Sequence, residues 1–223
     1  RDRYHRFVSE IEHQIVNILK IEDVVCNAVT FRLKARDSLS KKLEQKGDKY
    51  ATLSDITDIA GVRIITYYID DVSKVSKIIE REFVVDTANS IDKSKMLEPD
   101  RFGYCSVHYV VEMSQNRLRL PEYNEFVGMK CEIQIRSVLQ HAWAEIEHDL
   151  GYKSEIAIPK NIRRNFSRLS GLLEIADDEF QQIRSFLLSY QNEAEERIEQ
   201  KEFQNNELDA VLLSMIVKTN AHI

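Results

Sequence analysis

The sequence predicts an α+β fold: a mixed β-sheet of about five strands flanked by helices. Three observations lead there. Lys130–Arg136 alternates polar and apolar residues without a slip, and Gly61–Ile69 reads as a strongly apolar strand. Helical periods open and close the chain, and strands and helices mix between them without strict βαβ alternation.

Phe7, Ile11, Ile15 and Ile18 recur at helical spacing, so roughly the first twenty-five residues form an amphipathic helix. Val29–Ala35 is a short strand that sends Arg32, Lys34 and Arg36 to one side. Asp37 or Ser38 caps the next helix, which stops at Gly47. After the strand Gly61–Ile69, Asp70 and Asp71 open a helix that runs through Phe83, acids suiting the positive end of its dipole. Phe83–Ala88 is a further strand, and the polar, aperiodic stretch Asn89–Phe102 is a loop. Tyr104–Met113 alternates again, with Tyr104, Ser106 and His108 on one face and Cys105, Val107 and Tyr109 on the other. Pro121 and Asn124 mark a loop before the strand at Lys130, and Ser137–Leu150 is a helix.

Further on, Ile162, Phe166, Leu169, Leu173, Ala176, Phe180, Ile183, Leu187 and Tyr190 step by four and three. That spacing predicts a long helix with a coiled-coil-like seam, its partner being the N-terminal helix or a second subunit. After Glu193 the chain turns acidic and polar, and Leu208–Val217 is apolar again. The expected organisation is an N-terminal helix over 1–26, an α+β domain over 27–153 and a long helical region over 154–200. Residues 201–223 form a tail that either caps the helix or opens a further domain.

With 223 residues the chain can bury one good core and a smaller appendage. A net charge of -6 argues against a protein that coats DNA non-specifically, yet leaves room for a local cationic pocket. Cys26, Cys105 and Cys131 are odd in number and far apart, with no CxxC pair, which points to a reducing, cytoplasmic setting. No apolar run approaches the ~18 residues of a membrane span, so no membrane partner is expected. No signal peptide is read either.

Several residues could carry chemistry. The polar face of the strand at 130–136 holds Lys130, Glu132, Gln134 and Arg136: one acid, one amide and two cations. A site that handles a metal-bound phosphate needs such groups; the plainer alternative is the wet side of a half-buried strand. Ser38, Lys42 and Lys46 share one helix face and, with Arg32, Lys34 and Arg36, form a cationic cluster or a solvated surface. Asp58 stands just before a buried strand, where a carboxylate can hold Mg²⁺ from the strand's edge or simply cap a turn; both stay open here. His141, Glu145 and His148 lie on one helix face, but the HExxH and HxxEH patterns of zinc hydrolases are both absent. An HD-type hydrolase would need further ligands from only six histidines. These residues are read as hydrogen-bonding within the domain or touching a substrate phosphate.

Four segments in order, RLKARDSLSKKLEQK (32–46), DIAGVRIITYYIDD (58–71), FGYCSVHYVV (102–111) and CEIQIRSVLQHAWAEIEHDLGYK (131–153), resemble the RelA/SpoT alarmone synthetase domain. The resemblance spans about residues 27–153 and implies a nucleotidyltransferase-like synthetase domain. The long N- and C-terminal helices are like those of the small single-domain members. Members transfer the β,γ-diphosphate of ATP to the ribose 3′-hydroxyl of GDP or GTP, giving (p)ppGpp and AMP. By that likeness Asp58 and Glu132 would hold Mg²⁺, and Glu132 would accept the hydroxyl proton. Arg32, Lys34, Ser38, Lys42, Lys46 and Arg63 would bind ATP, Arg63 next to the reacting atoms. Tyr104 would stack on the acceptor base, with His108, Gln134, Arg136 and His141 lining that pocket. Cys105 and His141 depart from the family pattern, and both fall on the acceptor side. The HAWAEIEHD wording is also similar to toxic small synthetases, some of which modify the 3′ end of tRNA. An adenine nucleotide is a further alternative acceptor, and a non-catalytic nucleotide-binding module is a third reading. Small members are often oligomers, so a homo-oligomer is expected.

Overall fold

The structure, a computed structural model, describes residues 2–46, 50, 55–92, 106–152 and 160–199. A six-stranded mixed sheet forms the centre, ordered β1 (Cys26–Leu33), β2 (Ala60–Thr66), β6 (Cys131–Ser137), β5 (Val107–Met113) and β3 (Phe83–Val85). The two-residue β4 (Ile91–Asp92) pairs with β5 beside that path. Among the described residues only β2 and β6 run parallel, and the other pairings are antiparallel.

One sheet face is apolar and carries the core. Val62, Ile64, Val111, Cys131, Ile133 and Ile135 are buried on it. Two helices cover this core. The first is α1 (Asp2–Ile21), through Phe7, Val8, Ile11, Ile15 and Leu19; the second is α3 (Ile69–Glu82), through Val72, Val75, Ile78 and Ile79. Ile18 is only half-buried, and Leu19 takes its expected place. Each large side chain so buried stabilises the fold by about 2 kcal/mol. The alternation of β6 is thus the signature of a strand buried on one side only, with Glu132, Gln134 and Arg136 partly exposed on the other.

Several predicted boundaries move, for local reasons. The strand Gly61–Ile69 ends at Thr66, whose buried hydroxyl donates to the carbonyls of Tyr68 and Arg136 and turns the chain into α3. The strand Phe83–Ala88 stops at Val85, because Asp86 accepts from the backbone and side-chain amides of Asn89, three residues on, and bends the chain. Within the predicted loop Asn89–Phe102, Ile91–Asp92 forms β4, and residues 93–102 lie outside the described residues. The helix α2 (Arg36–Lys46) takes in Asp37 and Ser38, which were expected at its cap. Two short pieces went unforeseen, α4 (Gln115–Leu118) and a turn of 3₁₀ helix at Asn124–Phe126.

Ser137 sits before α5 (Val138–Tyr152) and closes a capping box with Gln140: the Gln140 N–H donates to Ser137 Oγ, and the Ser137 N–H to Gln140 Oε1. The predicted long helix is α6 (Lys160–Glu199). The chain divides into two compact units, Arg1–Asp177 and Asp178–Ile223. In the first, Leu169, Leu172 and Ile175 are exposed; in the second, Phe180, Ile183 and Phe186 are exposed, and Phe186 stacks on Tyr190. Among the described residues no helix is long and apolar enough to cross a membrane.

Candidate active site

The polar face of the sheet brings together residues from four strands. Register places Arg32 beside Gly61 and Gly61 beside Glu132; the next row along runs Thr30, Arg63, Gln134 and His108. Thr30, Phe31, Arg32, Gly61, Val62, Arg63, Glu132 and Gln134 line a cavity of about 130 Å³, which suits a phosphate group rather than a whole nucleotide. Gly61 forms the floor. A Cβ there would come within 3.7 Å of both Arg32 Cγ and the Glu132 carbonyl, so any larger side chain would occupy the space between those two residues.

Asp58 lies in the turn before β2. Its Oδ2 accepts from Lys34 at 2.6 Å and pairs with Lys42 at 2.8 Å. Burial pushes its proton affinity up, but the hydrogen bonds and charges of the two lysines outweigh that, so it is held below the ordinary Asp value. Its Oδ1 is buried and makes no hydrogen bond among the described residues. Asp58 is thus held by two ammonium groups through one oxygen, while the other has no partner among the described residues. Lys42 also lies over the ring of Tyr50, 5.7 Å from its centroid.

Glu132 is held from both sides. His108 Nδ1 donates to Oε1 at 2.9 Å, and Gln134 Nε2 donates to Oε2 at 3.2 Å. An ionised carboxylate only accepts, so His108 Nδ1 carries a hydrogen toward Glu132, and the other ring nitrogen, Nε2, meets Ser106 Oγ at 2.6 Å. Burial raises the Glu132 proton affinity and the neighbouring Asp58 charge adds to that, but His108 and Gln134 prevail and keep it below the usual range. The Asp58 charge thus reaches Glu132 as the smallest of these influences.

Opposite them stand the arginines. Arg63 pairs with Glu145 of α5 at 3.1 Å, and His141 Nδ1 lies 3.8 Å from the same carboxylate. Arg136 is lowered in pKa by burial first and then by the charges of Arg63 and Arg32, and its buried Nε makes no hydrogen bond among the described residues. His141 is lowered by burial and by Arg63 and Arg136, against the opposing charge of Glu145, and the net shift favours its neutral form. Guanidinium groups crowded together with donors left over attract an anion.

The predicted residues divide accordingly. Asp58, Glu132, Arg63, Arg32, Lys34, Lys42, His108, Gln134, Arg136 and His141 all belong to this face or its rim. Ser38 is exposed on α2. Tyr104 and Cys105 lie outside the described residues, as does the side chain of Lys46. Lys130, expected on the same face as Glu132, instead precedes β6 and binds Asp86 at 2.7 Å, tying the start of that strand to the end of β3. Sequence reasoning missed the role of Glu145, although it had set it on one helix face with His141. It also missed Gly61 and Ser106; for Ser106 the two-residue spacing from His108 on one strand was the available signal.

Glu132, Arg32 and Arg63 line a phosphate-sized cavity, and Asp58 with its two lysines lies just before β2. The chain belongs to the RelA/SpoT family: residues 31–157 match the model described as the region found in RelA / SpoT proteins. It is 31% identical over 150 residues to GTP pyrophosphokinase YwaC of Bacillus subtilis, a match covering 66% of this chain and 68% of that protein. Among solved structures it is similar to small alarmone synthetase 1 of Bacillus subtilis, with a TM-score of 0.69 and 28% identity, covering 84% of this chain and 95% of that one. The same synthetase has been solved bound to its product pppGpp, with a TM-score of 0.66 and 28% identity over 82% of this chain and 93% of that one.

If Lys42 serves phosphate binding and not merely Asp58, Lys42→Ala should weaken affinity for a non-hydrolysable ATP analogue about ten-fold, measured by calorimetry. Unchanged affinity would make the lysine only a partner of that carboxylate.

Proposed function

We propose that this protein is a GTP/GDP pyrophosphokinase that moves the β,γ-diphosphate of ATP onto the ribose 3′-hydroxyl of GDP or GTP, yielding (p)ppGpp and AMP. The observation that carries the reading is the pairing of Asp58, with one buried oxygen open, and Glu132, across from Arg32, Arg63 and Arg136. The similarity to a GTP pyrophosphokinase and to a synthetase solved with pppGpp supports it.

The donor set fits Mg²⁺. Asp58 Oδ1 has no protein partner among the described residues, and hard oxygen ligands from one or two carboxylates plus substrate phosphates are what this ion takes. Among the described residues no three His, Cys, Asp or Glu side chains gather, so phosphate and water oxygens would complete the set. Asp58 and Glu132 would hold the ion, which when bound neutralises phosphate charge and polarises the phosphoryl oxygens.

The remaining work falls to the chain's own groups. Lys34, Lys42, Arg32 and Arg63 hold the triphosphate, and their fixed charges stabilise the negative charge of the transition state without reorganisation. The acceptor's 3′-oxygen attacks the β-phosphorus and the bond from that phosphorus to the α,β-bridging oxygen breaks. AMP leaves on that oxygen, and the hydroxyl proton passes to Glu132. His108 and Gln134 orient Glu132, and Arg136 and His141 face the acceptor. Tyr104 stacks on the acceptor base, a contact of roughly 1–3 kcal/mol with little choice between bases.

The test is to incubate the protein with β- or γ-labelled ATP and Mg²⁺, offering GDP, GTP, GMP, adenine nucleotides and deacylated tRNA in turn. Label should appear on GDP or GTP with stoichiometric AMP. Label on tRNA or an adenine nucleotide would replace the acceptor, and label on none would leave a binding module. A net charge of -6 disfavours tRNA, which needs a basic docking surface.

A further inference from the structure

We propose that Asp177 of α6 is a positioning residue for the active site, acting through Ser137 at the joint between β6 and α5. The proposal rests on the synthetase reading above, which makes the groups on either side of that joint functional. Ser137 Oγ donates to Asp177 Oδ2 at 2.6 Å, and both residues are buried, at 0% and 3% exposure. A capping box needs only Ser137 and Gln140. Here the serine hydrogen is also claimed by a carboxylate from a helix beginning more than twenty residues further along the chain.

A buried carboxylate is costly to desolvate and persists where its partners hold it firmly. At this joint two features offset the cost. The hydroxyl hydrogen bonds to a carboxyl oxygen, and the amino-terminal end of α5, with its positive dipole, begins at the same serine. With its hydrogen on Asp177, Ser137 Oγ turns a lone pair to the Gln140 amide at 3.1 Å. The angle between β6 and α5 is set from three directions.

The consequence lies on both sides of the joint. One residue before Ser137 is Arg136, and Glu132 and Gln134 precede it on the same strand face. Four residues after it is His141, and one turn further Glu145 meets Arg63. Rotating α5 by a small angle would displace Glu145 and His141 from Arg63 while leaving the Asp58 lysine pairs untouched. Asp177 thus governs the arginine side of the site and not the Asp58 side.

Wild type, Asp177→Ala, Asp177→Asn and Ser137→Ala are compared in turnover of ATP with guanine nucleotide, and in affinity for a non-hydrolysable ATP analogue, below the melting transition of each. Asp177→Ala and Ser137→Ala should each lose about ten-fold or more in kcat, the scale of effect expected from small misplacements. Analogue affinity should fall clearly less than turnover, because Lys34 and Lys42 keep their pairs with Asp58 and only the Arg63 contact is disturbed. Asp177→Asn, whose amide oxygen still accepts the serine hydrogen, should recover most of the loss. Unchanged turnover in Asp177→Ala overturns the proposal, as does a parallel fall in turnover, analogue affinity and Tm with no recovery by Asn. Where Asp177→Ala does not fold, Ser137→Ala and Asp177→Asn decide by the same criteria. A wild type that labels no acceptor removes the synthetase reading and the proposal together, whereas an active wild type with an unaffected variant removes the proposal alone.

Discussion

Glu132→Gln should cut AMP release by about 10³-fold while the protein folds as before, since a placed general base contributes roughly 10²–10⁴-fold. The substitution keeps shape and hydrogen-bonding reach: a Gln oxygen still accepts from His108, and the residue remains in β6 between buried Cys131 and Ile133. What is lost is a basic carboxylate oxygen to take the proton and one negative charge near Arg32 and Arg63. Because His108 and Gln134 hold Glu132 below the ordinary Glu value, it is a weak base. Its contribution therefore depends on placement, with the proton moving as the oxygen–phosphorus bond forms and the hydroxyl grows acidic. Steady-state AMP release together with a thermal melt checks this; near-normal turnover would remove Glu132 from the chemistry.

Asp58→Asn should lower turnover by about 10²-fold or more, a typical loss when a preorganised charge is removed from a transition-state site. Neutralising this side chain also leaves Lys34 and Lys42 without the carboxylate they share, so the variant loses stability near neutral pH. The sign with pH follows from the direction of the shift. A carboxylate whose folded pKa lies below its ordinary 3.8 stabilises the fold fully above that value. That contribution disappears as the pH falls through the lower folded value. The stability gap between wild type and Asp58→Asn, followed by urea melts, should accordingly be constant from pH 7 to about 5 and close below 3.8. A gap that persists in acid would mean the lysines are held by something else.

Much of this site could be read from residue order because strand alternation and helix period report which face a side chain shares. Glu132, Gln134 and Arg136 had to emerge together once Cys131, Ile133 and Ile135 were assigned to the core. The same rule misplaced Lys130, since alternation says nothing about where a strand begins, and a long ammonium just outside it is free to reach Asp86. The pairing of Asp58 with Lys34 and Lys42 joins three separate elements through a turn. Its pieces were visible in the sequence, but its geometry was not. Glu145 shows a further gap: helix period groups it with His141, yet only the packing of α5 over the sheet reveals that Arg63 is its partner. Strand ends moved wherever a polar side chain, Thr66 or Asp86, bonded to nearby backbone. Such local competition lies outside hydrophobic patterning.

If the proposed synthetase chemistry holds, Asp58 and Glu132 act as a pair around one divalent cation. Titrating Mn²⁺ into the protein with a non-hydrolysable ATP analogue present, and following free Mn²⁺ by electron paramagnetic resonance, tests it directly. Wild type should bind one ion per chain, and Asp58→Asn and Glu132→Gln should each weaken that binding about ten-fold or more with analogue affinity less affected. Binding that is equally tight in both variants would place the metal elsewhere and contradict the account.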